Sequence, residues 1–258
     1  MDILIPLGTG SSWFNNELRF CLRSIERFAT GYDRIFVVGD IPDFLASSSR
    51  LVCIPMEEKH SNREARIAYK VIGAFQKTGI YDDIAFWNDD FVLTKPTDVR
   101  NIEYWQRGTL EMAMNASRSP EYSGSLRLTY EALKRAGKPT FHYDIHCPII
   151  YRRREFLSLI EWWEDSAKML HGYVVKSIYA NNLLHSPGPS MRDSKIRQFS
   201  KRRIDVECRE RWVFSYTDLS LRTGLKQWLY EQYPMMSCYE RTAINRNIVC
   251  RDYGLEQS

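Results

Sequence analysis

The sequence predicts an α/β fold with a mixed, mostly parallel central sheet flanked by helices. Short apolar runs at 2–7, 34–40 and 51–55 are typical of buried parallel strands. Between the first two runs, apolar residues at 18, 21, 22, 25 and 28 follow the spacing of one helical face. Strand, helix and strand in this order indicate a right-handed βαβ unit, in which the two strands are parallel.

Further segments with helical or strand spacing extend this architecture. They predict a helix over 62–77, a strand over 84–93, a strand over 140–151, a helix over 155–170 and a strand over 212–216. The last strand leads to a helix for which Thr217 or Asp218 is a suitable cap. Residues 100–140 mix aromatic and basic residues with glycine and serine, which predicts a region of helices and loops.

The composition excludes several classes of protein. Hydrophobic residues at 44% and charged residues at 26% argue against wholesale disorder, and a net charge of +4 does not by itself indicate nucleic acid. The six cysteines are far apart and form no CxxC pair, which favours reduced thiols over a disulfide framework or zinc site. We find no signal-peptide pattern and no transmembrane segment, and therefore expect a cytoplasmic protein.

The polar triplet Asn88, Asp89 and Asp90 interrupts the apolar run over 84–93. Burying two carboxylates is costly unless a cation meets them, and a divalent metal that carries a substrate diphosphate is the favoured partner. If the strand continues through the triplet, the two carboxylates point in opposite directions, so one of them binds sugar or acts as a base. The alternative is a surface turn whose side chains bond their own backbone.

A glycine-rich loop follows the first strand. Gly8, Thr9 and Gly10 lie where α/β folds place ligand phosphates or bases, although neither GxGxxG nor GxxxxGK is present. We expect these residues to line a nucleotide, with Asp40 touching its base or ribose at the end of the second strand. Arg19, near the start of the first helix, is a further candidate, although rows of arginine at four-residue spacing are more often solvated.

Later in the chain, His146 is a candidate metal ligand or a base that activates an acceptor hydroxyl. The alternative is a satisfied core histidine. His142 and Asp144 would share its strand face at period two. Lys195 and Arg197 are candidates for neutralising a leaving diphosphate, the alternative being a solvated surface, which we favour for 201–203.

Several of these segments resemble known families. Residues 16–28 and 34–42 resemble the "NELRYSLRSI…KIYIVTD…P" stretch of the Stealth family of sugar-phosphate transferases, and 86–93 resembles its "YFNDDMFL" block. The segment at 146–148 is similar to its later His-x-Pro region. More broadly, the chain resembles GT-A nucleotide-sugar transferases, including small bacterial and phage-encoded ones, with 193–197 similar to their late "D-K-I-R" element.

The resemblance implies a GT-A-like (Rossmann-like) fold with a helical and loop-rich acceptor side. It implies one GT-A-like domain over 1–258, with a nucleotide-sugar-binding half over 1–98 and an acceptor-side half and C-terminal region over 99–258. It also implies Mn²⁺ or Mg²⁺, held by Asp90 or Asp89 with His146 as a further ligand. Asp89 and His146 are then the catalytic candidates, and Asn88 orients a carboxylate or a sugar hydroxyl.

Three functions follow as expectations. The first is a metal-dependent glycosyltransferase that moves a sugar from a nucleotide-sugar donor to a glycan or another hydroxyl-bearing acceptor, modified nucleic acid included. The second is a Stealth-type transferase that moves a sugar 1-phosphate. The third is a non-enzymatic nucleic-acid-binding protein that uses the basic stretch at 192–203. For the transferases, the resemblance implies the cytoplasm of a bacterial or phage-infected cell.

Overall fold

The computed structural model describes residues 1–77, 80, 83–197 and 200–245. In chain order its strands are β1 (Asp2–Leu7), β2 (Ala29–Thr30), β3 (Ile35–Gly39), β4 (Leu51–Pro55), β5 (Ile84–Phe86), β6 (Val92–Leu93), β7 (Thr97–Asp98), β8 (Ile149–Tyr151), β9 (Lys195–Ile196) and β10 (Val213–Tyr216). Its α-helices are α1 (Asn16–Phe28), α2 (Arg63–Lys77), α3 (Leu110–Ala116), α4 (Pro120–Arg135), α5 (Arg153–Ser158), α6 (Ile160–Ala167), α7 (Val175–Leu183), α8 (Lys201–Glu210), α9 (Asp218–Ser220) and α10 (Lys226–Gln232).

A five-stranded sheet with the order β4-β3-β1-β5-β8 forms the centre of the molecule. Strands β4, β3, β1 and β5 are parallel to one another, and β8 is antiparallel to β5. This arrangement confirms the predicted class, a mixed and mostly parallel sheet flanked by helices. Shorter sheets join β6, β10 and β9, and β2 with β7.

The alternation of side chains along the central strands builds two apolar layers. Ile3 and Ile5 belong to the core that includes Leu18 and Leu22 of α1. Leu4, between them in sequence, belongs to the core on the opposite face, which includes residues of α2. Successive residues of a strand point to opposite faces, so an apolar run without polar interruptions requires a helix on each side.

The segment over 140–151 is not the continuous strand that its sequence predicts. Only 149–151 form β8, and the residues before it are irregular. Side chains of α7 satisfy their backbone groups: Lys176 Nζ donates to the carbonyls of Ile145 and Cys147 at 2.9 Å, and Ser177 Oγ accepts the Tyr143 N–H at 3.1 Å. Because these bonds replace those of a sheet partner, the segment needs no strand geometry.

In the C-terminal half, the structure differs from the sequence-based prediction in one helix and confirms one predicted helix cap. The helix predicted over 155–170 is divided into α5 and α6, with a break at Leu159. Thr217 caps α9, since its hydroxyl accepts the Ser220 N–H at 3.1 Å. No helix in the described ranges is long and apolar enough to cross a membrane.

Candidate active site

The candidate site lies where the strand order reverses. From β1, the chain builds outward through β3 and β4 on one side and then places β5 on the other. Ligands of open α/β sheets bind outside the carboxyl ends of the strands at such a point, because the loops there diverge and leave a crevice. The loops after β1 and β5 therefore bound the expected binding site.

Two adjoining cavities open at this edge of the sheet. The outer cavity, of about 1100 Å³, extends past the ends of β3 and β4 and along α2. The inner recess, of about 310 Å³, lies between the loops after β1 and β5. Thr9, Glu58, Arg66 and Lys70 line both of them, so the two form one continuous groove.

Most of the residues predicted to contact a nucleotide line this groove. Asp40 lines the outer cavity, and the inner recess is lined by Gly8, Thr9, Gly10, Asn88 and Asp89. A Cβ atom on Gly10 would meet nothing within 4 Å. At Gly39, by contrast, φ is +127° and a Cβ would lie 2.0 Å from the Leu7 carbonyl oxygen. Gly39 is thus required by the fold, whereas the space beside Gly10 is open for a ligand.

One face of α2 supplies positive charge to the groove. Arg63, Arg66 and Lys70 are spaced three and four residues apart, which places them on neighbouring positions of the helix surface. Lys70 Nζ donates to the Leu7 carbonyl at 2.8 Å and to Glu58 Oε1 at 2.7 Å, and Arg66 donates to Glu58 Oε2 at 2.8 Å. Partial burial would raise the pKa of Glu58, but these two cations lower it below its ordinary value.

The far end of the inner recess carries an excess of negative charge. Asp89 and Asp90 lie in a turn after β5, closed by the Phe91 N–H, which donates to the Asn88 carbonyl at 3.2 Å. The strand therefore ends before the carboxylates, and the condition under which they would point in opposite directions is not met. Burial, followed by the charges of Asp90 and Glu17, raises the pKa of Asp89 far above its usual range.

Glu17 of α1 belongs to the same acidic group. Its side chain is buried and accepts a hydrogen bond of 2.8 Å from Ser11 Oγ. Burial raises the pKa of Glu17 to about 7, against the opposing effect of the Ser11 bond, and the charges of Asp218 and Asp90 add to the increase. Carboxyl pKa values that are raised by burial and by like charges in a crevice are typical of binding and catalytic sites.

Arg63 lies between this acidic group and a second polar cluster. It lines the inner recess and also a small cavity of about 80 Å³ beside Tyr122. Burial alone would lower the pKa of Arg63, but the carboxylates of Glu64, Asp144 and Asp90 raise it above its ordinary value. The guanidinium is therefore charged, and it lines the recess in which Asp89 also lies.

The second cluster is centred on Asp144, in the irregular segment before β8. Tyr122 Oη donates to Asp144 Oδ2 at 2.8 Å and lies 3.0 Å from His142 Nε2. Because the hydroxyl proton goes to Asp144, His142 donates from Nε2, and burial lowers the pKa of His142 to about 4, which keeps the ring neutral. Burial would raise the pKa of Asp144, but the positive charges around it, that of Lys176 first, lower it below its ordinary value.

His146 forms a pair with Asp193. Its Nδ1 lies 2.7 Å from Asp193 Oδ1, and its backbone N–H donates to the same oxygen at 3.2 Å. Arg107 and Arg197 each approach Asp193 Oδ2 at 3.4 Å. Although burial raises the pKa of Asp193, its bonds with His146 and the charge of Arg107 hold it well below the usual range. An ionised Asp193 holds the proton on Nδ1 and leaves Nε2 as an acceptor.

Two predicted phosphate-binding residues have other partners. Arg19 is buried, donates to Glu240 Oε2 at 2.7 Å and stacks over Phe44 at 3.8 Å, so the structure does not bring it to the groove. Arg197 contacts Asp193 rather than a cavity wall. The side chain of Lys195 is half-buried on β9, which pairs with β10 in the smaller sheet. The cations that line the groove are Arg63, Arg66 and Lys70 of α2, together with Lys59 of the loop before it.

The predicted metal ligands fit a divalent cation in part. In the described part of the chain, no group of three His, Cys, Asp and Glu side chains is arranged to hold a metal ion. Asp89, Asp90 and His146 therefore do not form a ready three-ligand site. Asp89 and Asp90 nevertheless offer adjacent hard oxygen donors, which would suit Mg²⁺ or Mn²⁺ when ligand phosphates and water supply the remaining positions.

Sequence reasoning missed four residues that shape the site, Glu17, Arg63, Lys70 and Asp193. The basic face of α2 was detectable, because its members recur at helical spacing. Glu17 was detectable too, since it lies four residues before Cys21 and shares its side of the helix with that core residue. Asp193 is the first residue of the late element at 193–197. Its partner His146 is distant in sequence, so the pairing of the two residues could not be predicted from the sequence.

The sheet order and helical layers define the GT-A class of glycosyltransferase fold. A structure of the galactosyltransferase LgtC, in complex with donor and acceptor sugar analogues, matches this chain with a TM-score of 0.53 at 11% sequence identity. The match covers 95% of this chain and 98% of that one. A structure of an active-site mutant of LgtC matches with a TM-score of 0.48 at 10% identity over the same shares of the two chains.

No family model and no curated protein matches the sequence. At 11% identity the likeness to LgtC is one of fold. The predicted GT-A-like fold is thus confirmed, whereas the Stealth resemblance stays a prediction.

Proposed function

We propose that this chain is a glycosyltransferase that binds a nucleotide sugar in the groove and transfers the sugar to a hydroxyl group of an acceptor. The observation that carries the proposal is the groove at the strand-order reversal, which has basic residues of α2 on its wall and uncompensated carboxylates at its inner end. A nucleotide sugar carries a flat neutral base, a diphosphate and a sugar in that order, which matches the order of the side chains along the groove. The LgtC structure, which holds donor and acceptor sugar analogues, has the same fold.

The groove residues divide between the two ends of the donor. Gly8, Thr9 and Gly10 let the ligand approach the backbone after β1, and Asp40 is placed to accept hydrogen bonds from ribose hydroxyls at the end of β3. The cations of α2 then meet the diphosphate. Arg63 is suited to the phosphate nearest the sugar, because its planar guanidinium binds phosphate oxygens in a bidentate manner.

Asp89 and Asp90 would hold Mn²⁺ or Mg²⁺ beside the diphosphate. The cation supplies neutralisation of the negative charge that develops on the leaving group. The chain's own contribution is to keep Asp89 where burial, and then the charges of Asp90 and Glu17, disfavour its ionisation, so that a cation would be favoured there. Asn88, which lines the same recess, is placed to orient a sugar hydroxyl or one of the carboxylates.

The acceptor hydroxyl would lose its proton to the His146–Asp193 pair. Asp193 accepts from Nδ1 and fixes the ring, so Nε2 is free to take a proton from an acceptor oxygen. The side chain of His146 is 28% exposed, which lets an acceptor reach it. Asp144, which accepts a hydrogen bond from Tyr122, would bind a hydroxyl of the transferred sugar.

A screen of nucleotide sugars for turnover tests this proposal. We expect manganese-dependent release of a nucleoside diphosphate from at least one donor, and loss of that release in Asp90→Ala. Release of a nucleoside monophosphate would instead support the Stealth-type transfer of a sugar 1-phosphate, because the bond that breaks then lies between the two phosphates. Turnover that survives Asp90→Ala, or the absence of turnover with every donor, would contradict the proposal.

A further inference from the structure

We infer that the nucleoside base of the donor stacks on an aromatic pair, His60 and Tyr69, which makes these two residues the base-binding platform of the enzyme. The inference rests on the proposed function, since it assigns the outer cavity to one part of the same ligand. Neither residue stands out in the sequence: His60 lies in the loop before α2, and Tyr69 lies on α2.

The two rings lie against each other at a tilt. Their centroids are 4.1 Å apart with an angle of 34° between the planes, and both residues line the outer cavity. Each is half-buried, so the pair is anchored on one side and accessible on the other. Such a surface binds a nucleobase through its π-face, and stacking of this kind tolerates every base.

The rest of the outer cavity includes apolar side chains that a flat ring could contact. Met56 and Ile72 contribute apolar side chains to its lining, and Ile160 of α6 adds a third. Ile160 is a large apolar side chain with 37% of its surface exposed, which a bound ring would cover. An aromatic pair and apolar side chains in the lining of one cavity are features of sites that bind bases.

The distance from this platform to the acidic end of the groove suits one extended nucleotide. The outer cavity lies at the ends of β3 and β4, and the inner recess at the ends of β1 and β5. Neighbouring strands are about 4.8 Å apart, so the ends of β4 and β5 are separated by about 14 Å across three strand spacings. Lys70 and Arg66 line both cavities, so the diphosphate would lie between the base and the sugar.

Calorimetric titration in the presence of Mn²⁺ tests the platform, with ADP, CDP, GDP and UDP as ligands and pyrophosphate as a probe that lacks a base. We expect His60→Ala and Tyr69→Ala to weaken binding of the preferred nucleoside diphosphate about tenfold or more, the effect of losing one stacked base contact. Both variants should bind pyrophosphate as the wild type does. Tyr69→Phe, which keeps the ring, is the matched control and should retain the wild-type affinity.

The ligands separate failure of this inference from failure of the proposed function. Unchanged nucleotide affinity in His60→Ala, a loop variant that leaves the core intact, would overturn the platform alone. So would an equal loss for pyrophosphate and nucleotide, because the effect would then not depend on the base. If the wild type binds neither pyrophosphate nor any nucleoside diphosphate, the proposed function fails, and the platform fails with it.

Discussion

The carboxyl groups at the two ends of the candidate site have pKa values that are shifted in opposite directions. At the inner end of the groove, which we propose as the metal end, burial and neighbouring acids raise the pKa values of Asp89 and Glu17. Around Asp144 and Asp193, which we propose as the acceptor end, hydrogen-bond donors and cations lower the pKa values of the two carboxyls. Burial acts against ionisation at both ends, so the difference comes from the partners that the fold supplies.

This contrast separates a site that is complete from one that needs a ligand. The proposed acceptor end holds its acids ionised and hydrogen-bonded without any addition, as the proposed catalytic role would require. At the proposed metal end, ionisation of Glu17 and Asp89 is disfavoured, so a bound cation would favour the ionised carboxylates and would stabilise the folded state. The buried Glu240, which is neutralised by Arg19 and Arg23, shows that the same chain pairs its acids where no ligand is expected.

The largest expected effect is on catalysis at the metal end. Asp89→Asn removes one of two carboxylates proposed to hold the cation, which contributes several kcal/mol to transition-state stabilisation, so kcat/KM for sugar transfer should fall by at least about 100-fold. Initial rates with the best donor measure this. Asp165→Asn is the matched control, because that carboxylate is 61% exposed on α6 and pairs only weakly with Lys168. Equal rates in the two variants would remove Asp89 from the site.

The same substitution at the acceptor end should lower stability as well as activity, because Asp193 both orients His146 and neutralises two arginines. Asp193→Asn leaves His146 and the guanidinium groups of Arg107 and Arg197 without their buried partner. We expect a loss of about 2 kcal/mol in the free energy of unfolding, less than for a fully buried pair because both arginines are largely exposed. Urea unfolding without metal measures it. In the same assay, Asp89→Asn should increase stability by about 1 kcal/mol, and a shared sign for both substitutions would refute the contrast.

Glu17 makes the metal end sensitive to pH. Its folded-state pKa of about 7 lies above the ordinary value of 4.5, so the folded protein holds the proton more tightly than the unfolded chain. The stability that this gives is fully present below pH 4.5 and is lost as the pH rises towards 7. We expect Glu17→Gln to gain on the order of 1 kcal/mol relative to the wild type across that window in metal-free urea titrations. A constant difference at all pH values would contradict the assignment.

Arg19 provides the smallest expected effect on function. Because its guanidinium is bonded to Glu240, Arg19→Gln should leave the KM for the donor unchanged and cost about 1 kcal/mol of stability. Steady-state kinetics and urea unfolding of the same preparation test both statements. A tenfold rise in KM without a loss of stability would restore Arg19 to the binding site and weaken the assignment of the groove.

The parts of the fold that local sequence determines were predictable. Strands β1 and β4 and helix α1 have the bounds that their apolar spacing indicates. The segment over 140–148 has strand-like composition but is held by α7 and by Tyr122, and contacts between distant residues leave no periodic signal. Tertiary partners therefore decided its conformation.

The candidate site shows the same limit. Residues directly after a strand, such as Gly8 and Asp89, line the groove, because the end of a parallel strand has a known position. The arginine rows of α1 and α2 look alike in sequence, yet Arg19 and Arg23 bind Glu240, whereas Arg63 lines the recess. Only the packing of each helix determines which row meets a ligand.

The most direct test of the central claim is thermal unfolding with Mn²⁺ and a nucleoside diphosphate, added separately and together. If Asp89 and Asp90 hold a cation that shares a bound diphosphate, the two ligands together should raise the midpoint by more than the sum of their separate shifts, since each completes the other's site. Asp89→Asn should abolish the excess. A joint shift that only equals the sum, that persists in Asp89→Asn, or that no nucleoside diphosphate produces would contradict the account.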